Sequence, residues 1–198
     1  MNKLIYALSF VRSIPAIIVY KSLNQHSKHA IEMDMKVLGS NTDAFSIHKL
    51  MISNKIFRKQ FLTRVLFESK AKYYLIRLFY KPLFGLDLNA VTGVIGGGLR
   101  IYHGYSTIVF CHSMGENCSV YQNVTIGRGK TINGIDIPII GNDVTIYSGA
   151  VVIGGIHIGD HAKIGAGAVV VKDVPEYATV VSQPIRILER GEGHAERE

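Results

Sequence analysis

The chain has 198 residues, 47% of them hydrophobic and 19% charged, with a formal net charge of +7. At roughly 100–200 residues per domain, that length fits one main domain with a subdomain, and the composition excludes a disordered chain, a collagen and a coiled coil. The only two cysteines, Cys111 and Cys118, make neither a disulfide framework nor a CxxC metal pair, so a reducing, cytoplasmic setting is expected.

Charge divides the chain. Residues 1–85 carry 14 Lys and Arg against 4 Asp and Glu, a balance of +10, whereas residues 86–198 carry 8 against 11, a balance of −3. The front part, 1–85, reads as helical. Leu4 to Tyr20 is apolar, but Arg12 and Pro15 interrupt it and no small-residue cleavage site follows, so it reads as neither a signal peptide nor a membrane span. From Ile47 to Phe84, apolar residues at helical spacing (Phe57, Phe61, Val65, then Tyr74, Leu75, Leu78, Phe79) alternate with Lys55, Arg58, Lys59, Arg64, Lys70, Lys72 and Arg77. This is a basic amphipathic stretch that ends at Lys81-Pro82 and Gly85. Two uses fit it: an oligomerising helical cap with a solvated charged face, or peripheral docking on the anionic face of the cytoplasmic membrane. No nucleic-acid-binding motif accompanies the basic charge.

From Ile95 the period changes to six. Aliphatic residues fall at Ile95, Ile101 and, after one extra residue, Ile108, then Met114, Val120 and Ile126. They resume at Ile140, Ile146, Val152, Ile158, Ile164 and Val170. Gly often follows the aliphatic, and the fifth position is small or β-branched, as in Cys118, Val124, Val144, Ala150, Ala162 and Ala168. Such a repeat predicts a left-handed parallel β-helix over 86–188, three hexads to a coil and a little over four coils, with an irregular segment at Ile132–Ile139. The fold class is therefore mainly β, a hexapeptide-repeat β-helix preceded by an α-helical region, with 189–198 as a polar tail.

Three stretches of that β-helix are similar to known proteins: Ile95-Gly-Gly-Gly-Leu-Arg-Ile-Tyr-His103-Gly, Val120-Tyr-Gln-Asn-Val-Thr-Ile-Gly127, and Ile164-Gly-Ala-Gly-Ala-Val-Val with Lys172-Asp-Val-Pro175. They resemble the hexapeptide-repeat acyltransferases, in the serine acetyltransferase-like branch. The resemblance implies an acetyl-CoA-dependent O-acetyltransferase, built as a homotrimer with active sites between neighbouring prisms, two trimers joining through their helices being a further candidate arrangement.

Acyl transfer to an alcohol needs a base near the hydroxyl and donors for the developing oxyanion. Of eight histidines, His103 falls where the family's catalytic histidine falls, and His112 is the second candidate. The resemblance assigns Asp87 to orient the base, with a chain-turning role as the alternative. Counting coils sets Gln122 beneath His103 on the same face. The resemblance also assigns acetyl-CoA binding to backbone amides at Gly165, Ala166 and Gly167 and to the cations Lys172 and Arg186.

Two departures bear on the acceptor. The family's substrate-holding histidine before a proline is Ile137 here, and the aspartate before the catalytic histidine is Tyr102. Fewer polar groups for a zwitterion and one added aromatic favour a saccharide hydroxyl, as in capsule or exopolysaccharide synthesis, over serine. Serine O-acetylation in cysteine biosynthesis is the alternative. More remote are a non-catalytic trimeric module and a metal hydratase similar to γ-class carbonic anhydrases, which would need His112, His157 and His161 to converge. No metal is expected.

Overall fold

The computed structural model describes residues 3–81 and 83–183. Five helices come first: α1 (Lys3–Ser22), α2 (Gln25–Val37), α3 (Ala44–Ser53), α4 (Lys55–Glu68) and α5 (Lys70–Arg77). The starts of α2 to α5 are set by side-chain caps: Asn24, Asp43, Asn54 and Ser69 each accept from a backbone N–H in the following turn, satisfying a donor the helix cannot pair itself. Pro15 lies within α1, so it interrupts the apolar run but not the helix. Among the described residues, no helix is long and apolar enough to cross a membrane.

α4 departs from the amphipathic expectation. Phe57, Gln60, Phe61, Leu62, Thr63, Arg64 and Val65 are all buried, covering the helix on every side. It is the axis of the helical half, with α2, α3 and α5 around it. Arg64 is therefore no surface cation. It forms a two-pronged ion pair with buried Asp34, at 2.7 and 2.9 Å, and also donates to the carbonyls of Ile95 and Gly96. Leu99 N–H in turn donates to Asp34 Oδ1 at 3.1 Å. Burial pushes the Asp34 carboxyl above its ordinary value, against the pull of Arg64. This cluster fastens the helices to the first coil.

The strands are β1 (Leu86–Ala90), β2 (Arg100–Ile101), β3 (Thr107–Cys111), β4 (Ser113–Met114), β5 (Ser119–Val120), β6 (Thr125–Gly127), β7 (Ile139–Ile140), β8 (Thr145–Ile146), β9 (Val151–Ile153), β10 (His157–Ile158), β11 (Lys163–Ile164), β12 (Val169–Val170) and β13 (Thr179–Val180). All pair in parallel, in three sheets ordered β1-β3-β6-β9-β12, β4-β7-β10 and β2-β5-β8-β11-β13. Five strands in two sheets make a β-helix of about five turns, because β1 begins a coil ahead of the first hexad. Ile126, Ile140, Ile146, Val152, Ile158 and Ile164 stack in its core, with Cys118, Val144, Ala150 and Ala162 between them. At the corner after β4 the coils leave no room for a side chain: a Cβ on Gly115 would come within 2.6 Å of the Gly141 carbonyl oxygen.

One inward position differs from the hexad reading. Ile108 is 45% exposed, whereas Val109 is fully buried and registers with Ile126. The corner between β2 and β3 holds two extra residues, not one, and the chain regains phase by shortening the next corner. The extra length falls at His103.

Candidate active site

Register fixes the neighbours of His103. Ile101 pairs with Val120, so Tyr102 lies over Tyr121 and His103 over Gln122. In the coils below, this corner turns through one left-handed residue, at Asn123, Gly149 and Gly167 in succession; the first coil has its counterpart at Ser106 and adds two more, Gly104 and His103, the latter at φ 65°. A left-handed histidine is held in a sparsely populated conformation, which persists where surrounding structure enforces it. Here it aims an exposed side chain into a cleft of about 440 Å³ between the corner and the helices, walled by Tyr105, Leu83, Leu50, Asn54 and Lys55. A second groove of about 250 Å³ shares Leu38, Asn54 and Ile56 and is lined by Arg100 and Tyr102. The helical half thus forms one wall of the site. Asn54, Lys55 and Arg100 escape sequence reasoning, since no local pattern shows that the α3–α4 junction folds back onto the first corner.

The residues assigned from sequence fall into three groups. Tyr102 stacks on Tyr121 at 4.4 Å, and Tyr121 meets Tyr147 at 5.2 Å, forming an aromatic column beside His103. Gln122 joins the same corner, and its Oε1 is buried without a hydrogen-bond partner among the described residues. His112 sits on a different corner, between β3 and β4, where its Nδ1 is likewise buried and unpartnered among the described residues. Asp87 is not brought to His103: β1 points it outward in register with Ile108, and its carboxylate lies 3.6 Å from Lys59 Nζ. Among the described residues, no carboxylate comes within 4.0 Å of a His103 ring nitrogen.

The closing coils correct the expected acyl-donor face. Gly165 N–H donates to the Val180 carbonyl and Gly167 N–H to that of Ser148, so both amides are used in the ladder between coils. Of the three, only Ala166 keeps an amide outside that ladder. Lys172 is exposed nearby, and Arg186 lies outside the described residues. Among the described residues no three His, Cys, Asp or Glu side chains gather to hold a metal ion. His161 is stacked on Tyr177 at 4.6 Å and is 3.8 Å from Asp143.

The family described as "Bacterial transferase hexapeptide (six repeats)" matches residues 137–172. A serine acetyltransferase of Synechococcus elongatus is 39% identical over 97 residues, which is 48% of this chain and 40% of that protein. A serine acetyltransferase of Staphylococcus xylosus is 30% identical over 166 residues, covering 81% of this chain and 71% of that one. The chain belongs to the hexapeptide-repeat acyltransferases, in their serine acetyltransferase-like branch. The fold agrees: a Neisseria gonorrhoeae serine acetyltransferase solved with serine superimposes with a TM-score of 0.61 at 26% identity, over 94% of this chain and 85% of that one. Against several curated members of the branch, the chain spans only about half of their length, 58% and 55% for two Bacillus proteins.

Within this acyltransferase branch, the two departures have structural context. Ile137 is buried at 3% exposure, so its side chain is not displayed to a ligand on this chain. Tyr102 is partly exposed, but one face of its ring is covered by Tyr121. Cys111 and Cys118 are core residues, and burial pushes both thiols up to about 12, far from reactive thiolates.

Proposed function

We propose that this chain is an acetyl-CoA-dependent serine O-acetyltransferase with His103 as its general base. The observation that carries the reading is the position of His103, a left-handed residue of the lengthened corner, exposed in the cleft between helices and β-helix. In the proposed reaction the imidazole takes the acceptor's hydroxyl proton as that oxygen attacks the thioester carbonyl. The tetrahedral oxyanion then collapses, the C–S bond breaks, and the imidazolium returns its proton to the departing CoA sulfur. Ala166 N–H and Lys172 are the groups on the closing coils suited to phosphate or carbonyl oxygens of the donor.

Serine replaces the saccharide acceptor favoured by residue chemistry alone. The relatives carry the serine acetyltransferase name, and the argument from Ile137 weakens because that side chain is buried. Lys55 and Arg100, unforeseen, supply cations for a carboxylate on the two grooves flanking His103. A homotrimer suits the unpartnered Gln122 Oε1 and His112 Nδ1, which a neighbouring prism would meet, and a residue from that prism would orient His103 in place of Asp87.

The test is an acceptor panel of serine, free sugars and nucleotide-sugars, with CoA release followed and His103→Ala as control. Serine should be the preferred acceptor and the variant slower by at least about 100-fold. Turnover of a sugar with serine inert would overturn the serine assignment while keeping the acyltransferase.

A further inference from the structure

A second basic site lies away from His103, at the meeting of α1, α4 and the end of α5. Arg12, Arg58, Arg77 and Lys81 line a cleft of about 530 Å³ together with Leu78 and Phe79. Two of these cations are fixed in place. Arg12 Nε donates to the Phe79 carbonyl at 2.7 Å, and Arg58 donates to the carbonyls of Met51 and Ile52 at 2.8 and 3.1 Å. Their guanidiniums sit 4.7 and 5.4 Å from the centroid of the Tyr80 ring. Among the described residues, none of the four has a carboxylate within 4.0 Å. Burial, and then the charge of Arg12, hold Arg58 below the usual guanidinium range. Like charges are therefore gathered at a cost that a bound anion would relieve.

The rim is apolar. Leu78 is 80% exposed in the cleft itself, and Tyr74 and Leu75 are exposed one turn earlier on α5. On α1, which packs on α5, Val11, Ile14 and Ile18 are exposed at spacings of three and four.

We propose that this face docks on an anionic phospholipid surface, with headgroup phosphates in the Arg12–Arg58–Arg77–Lys81 cleft and Leu78 inserted between them. Cations beside protruding apolar side chains are what an anionic interface rewards. A free phosphate would use the cations and leave Leu78 in water. A second copy packed here through a two-fold axis would set the four cations against themselves.

Co-sedimentation of the full-length protein tests this, with vesicles of phosphatidylcholine alone and of phosphatidylcholine mixed with phosphatidylglycerol. Binding should need phosphatidylglycerol and fall steeply with salt. Arg77→Gln with Lys81→Gln, which leaves the backbone-anchored Arg12 and Arg58 alone, should weaken it about 30-fold, from roughly 1 kcal/mol per basic residue. Circular dichroism should show the double variant as stable as its parent. Absence of sedimentation with either vesicle overturns the proposal, as does equal binding to both. Calorimetric binding of inorganic phosphate without vesicle binding overturns the lipid source. Self-association without vesicles that the double variant abolishes overturns it in favour of a second copy.

Discussion

From coil to coil the β-helix interior is aliphatic, whereas the helical half encloses Asp34, Arg64, Gln60, Ser13 and His48. The β-helix buries little side-chain polarity (Thr107 is a buried exception, its hydroxyl donating to the Tyr105 carbonyl) because its backbone groups pair between coils, and each coil rests only on its neighbours. The helices hold together differently. Ser13 Oγ contacts His48 Nδ1 at 2.8 Å and Tyr80 Oη at 2.5 Å, and Gln60 Nε2 donates to the Leu99 carbonyl at 2.6 Å. Polar contacts of this kind specify how five short helices sit on the first coil. The site is at that junction, so its geometry depends on both kinds of cohesion.

The largest effect is expected at the junction. Arg64→Leu leaves Asp34 buried and unpaired, costing about 3–5 kcal/mol in urea unfolding. Replacing both partners, Asp34→Leu with Arg64→Met, should restore much of the loss; a double variant as unstable as the single would show that the charges themselves are not the cause.

Within the β-helix, Ile158→Ala should cost about 2–5 kcal/mol through the cavity it leaves, with the helical half still docked. If hydrogen exchange then showed the helices opening as readily as the coils, the two regions would not be separable.

The smallest effect concerns acid. Asp160 accepts from Asn142 N–H at 2.7 Å, a bond that holds its carboxyl below the ordinary 3.8. A folded value below the unfolded one stabilises above the unfolded value and is lost as pH falls through the folded one. Asp160→Asn should therefore narrow the difference in melting temperature between neutral and acid pH, and an unchanged acid limb would remove this contribution.

These two regions also differ in how far sequence reveals them. The six-residue period reports its own inward positions, because each hexad faces the same environment as the last. It misplaces only Ile108, where the corner holds a second extra residue that a count cannot locate. The helices resist such reading. Arg64 and Gln60 look like surface residues of an amphipathic stretch, yet they are interior because α4 is surrounded. For the site, the resemblance picks out His103, and coil counting sets Gln122 beneath it. Asp87 goes to Lys59 instead, since strand alternation turns it outward, and the amides of Gly165 and Gly167 are used in ladder bonds that only the assembled coils show. Lys55, Asn54 and Arg100 carry no signal in the chain because tertiary folding alone brings them to His103.

His103 at the seam between the two regions is the centre of this account, and steady-state acetyl transfer by His103→Ala tests it most directly. A base acts in the transition state, so kcat should fall roughly 10²–10⁴-fold, with the affinity for acetyl-CoA nearly unchanged by calorimetry and the fold intact by circular dichroism. A His103→Ala protein that acetylates serine at the parent rate would contradict it.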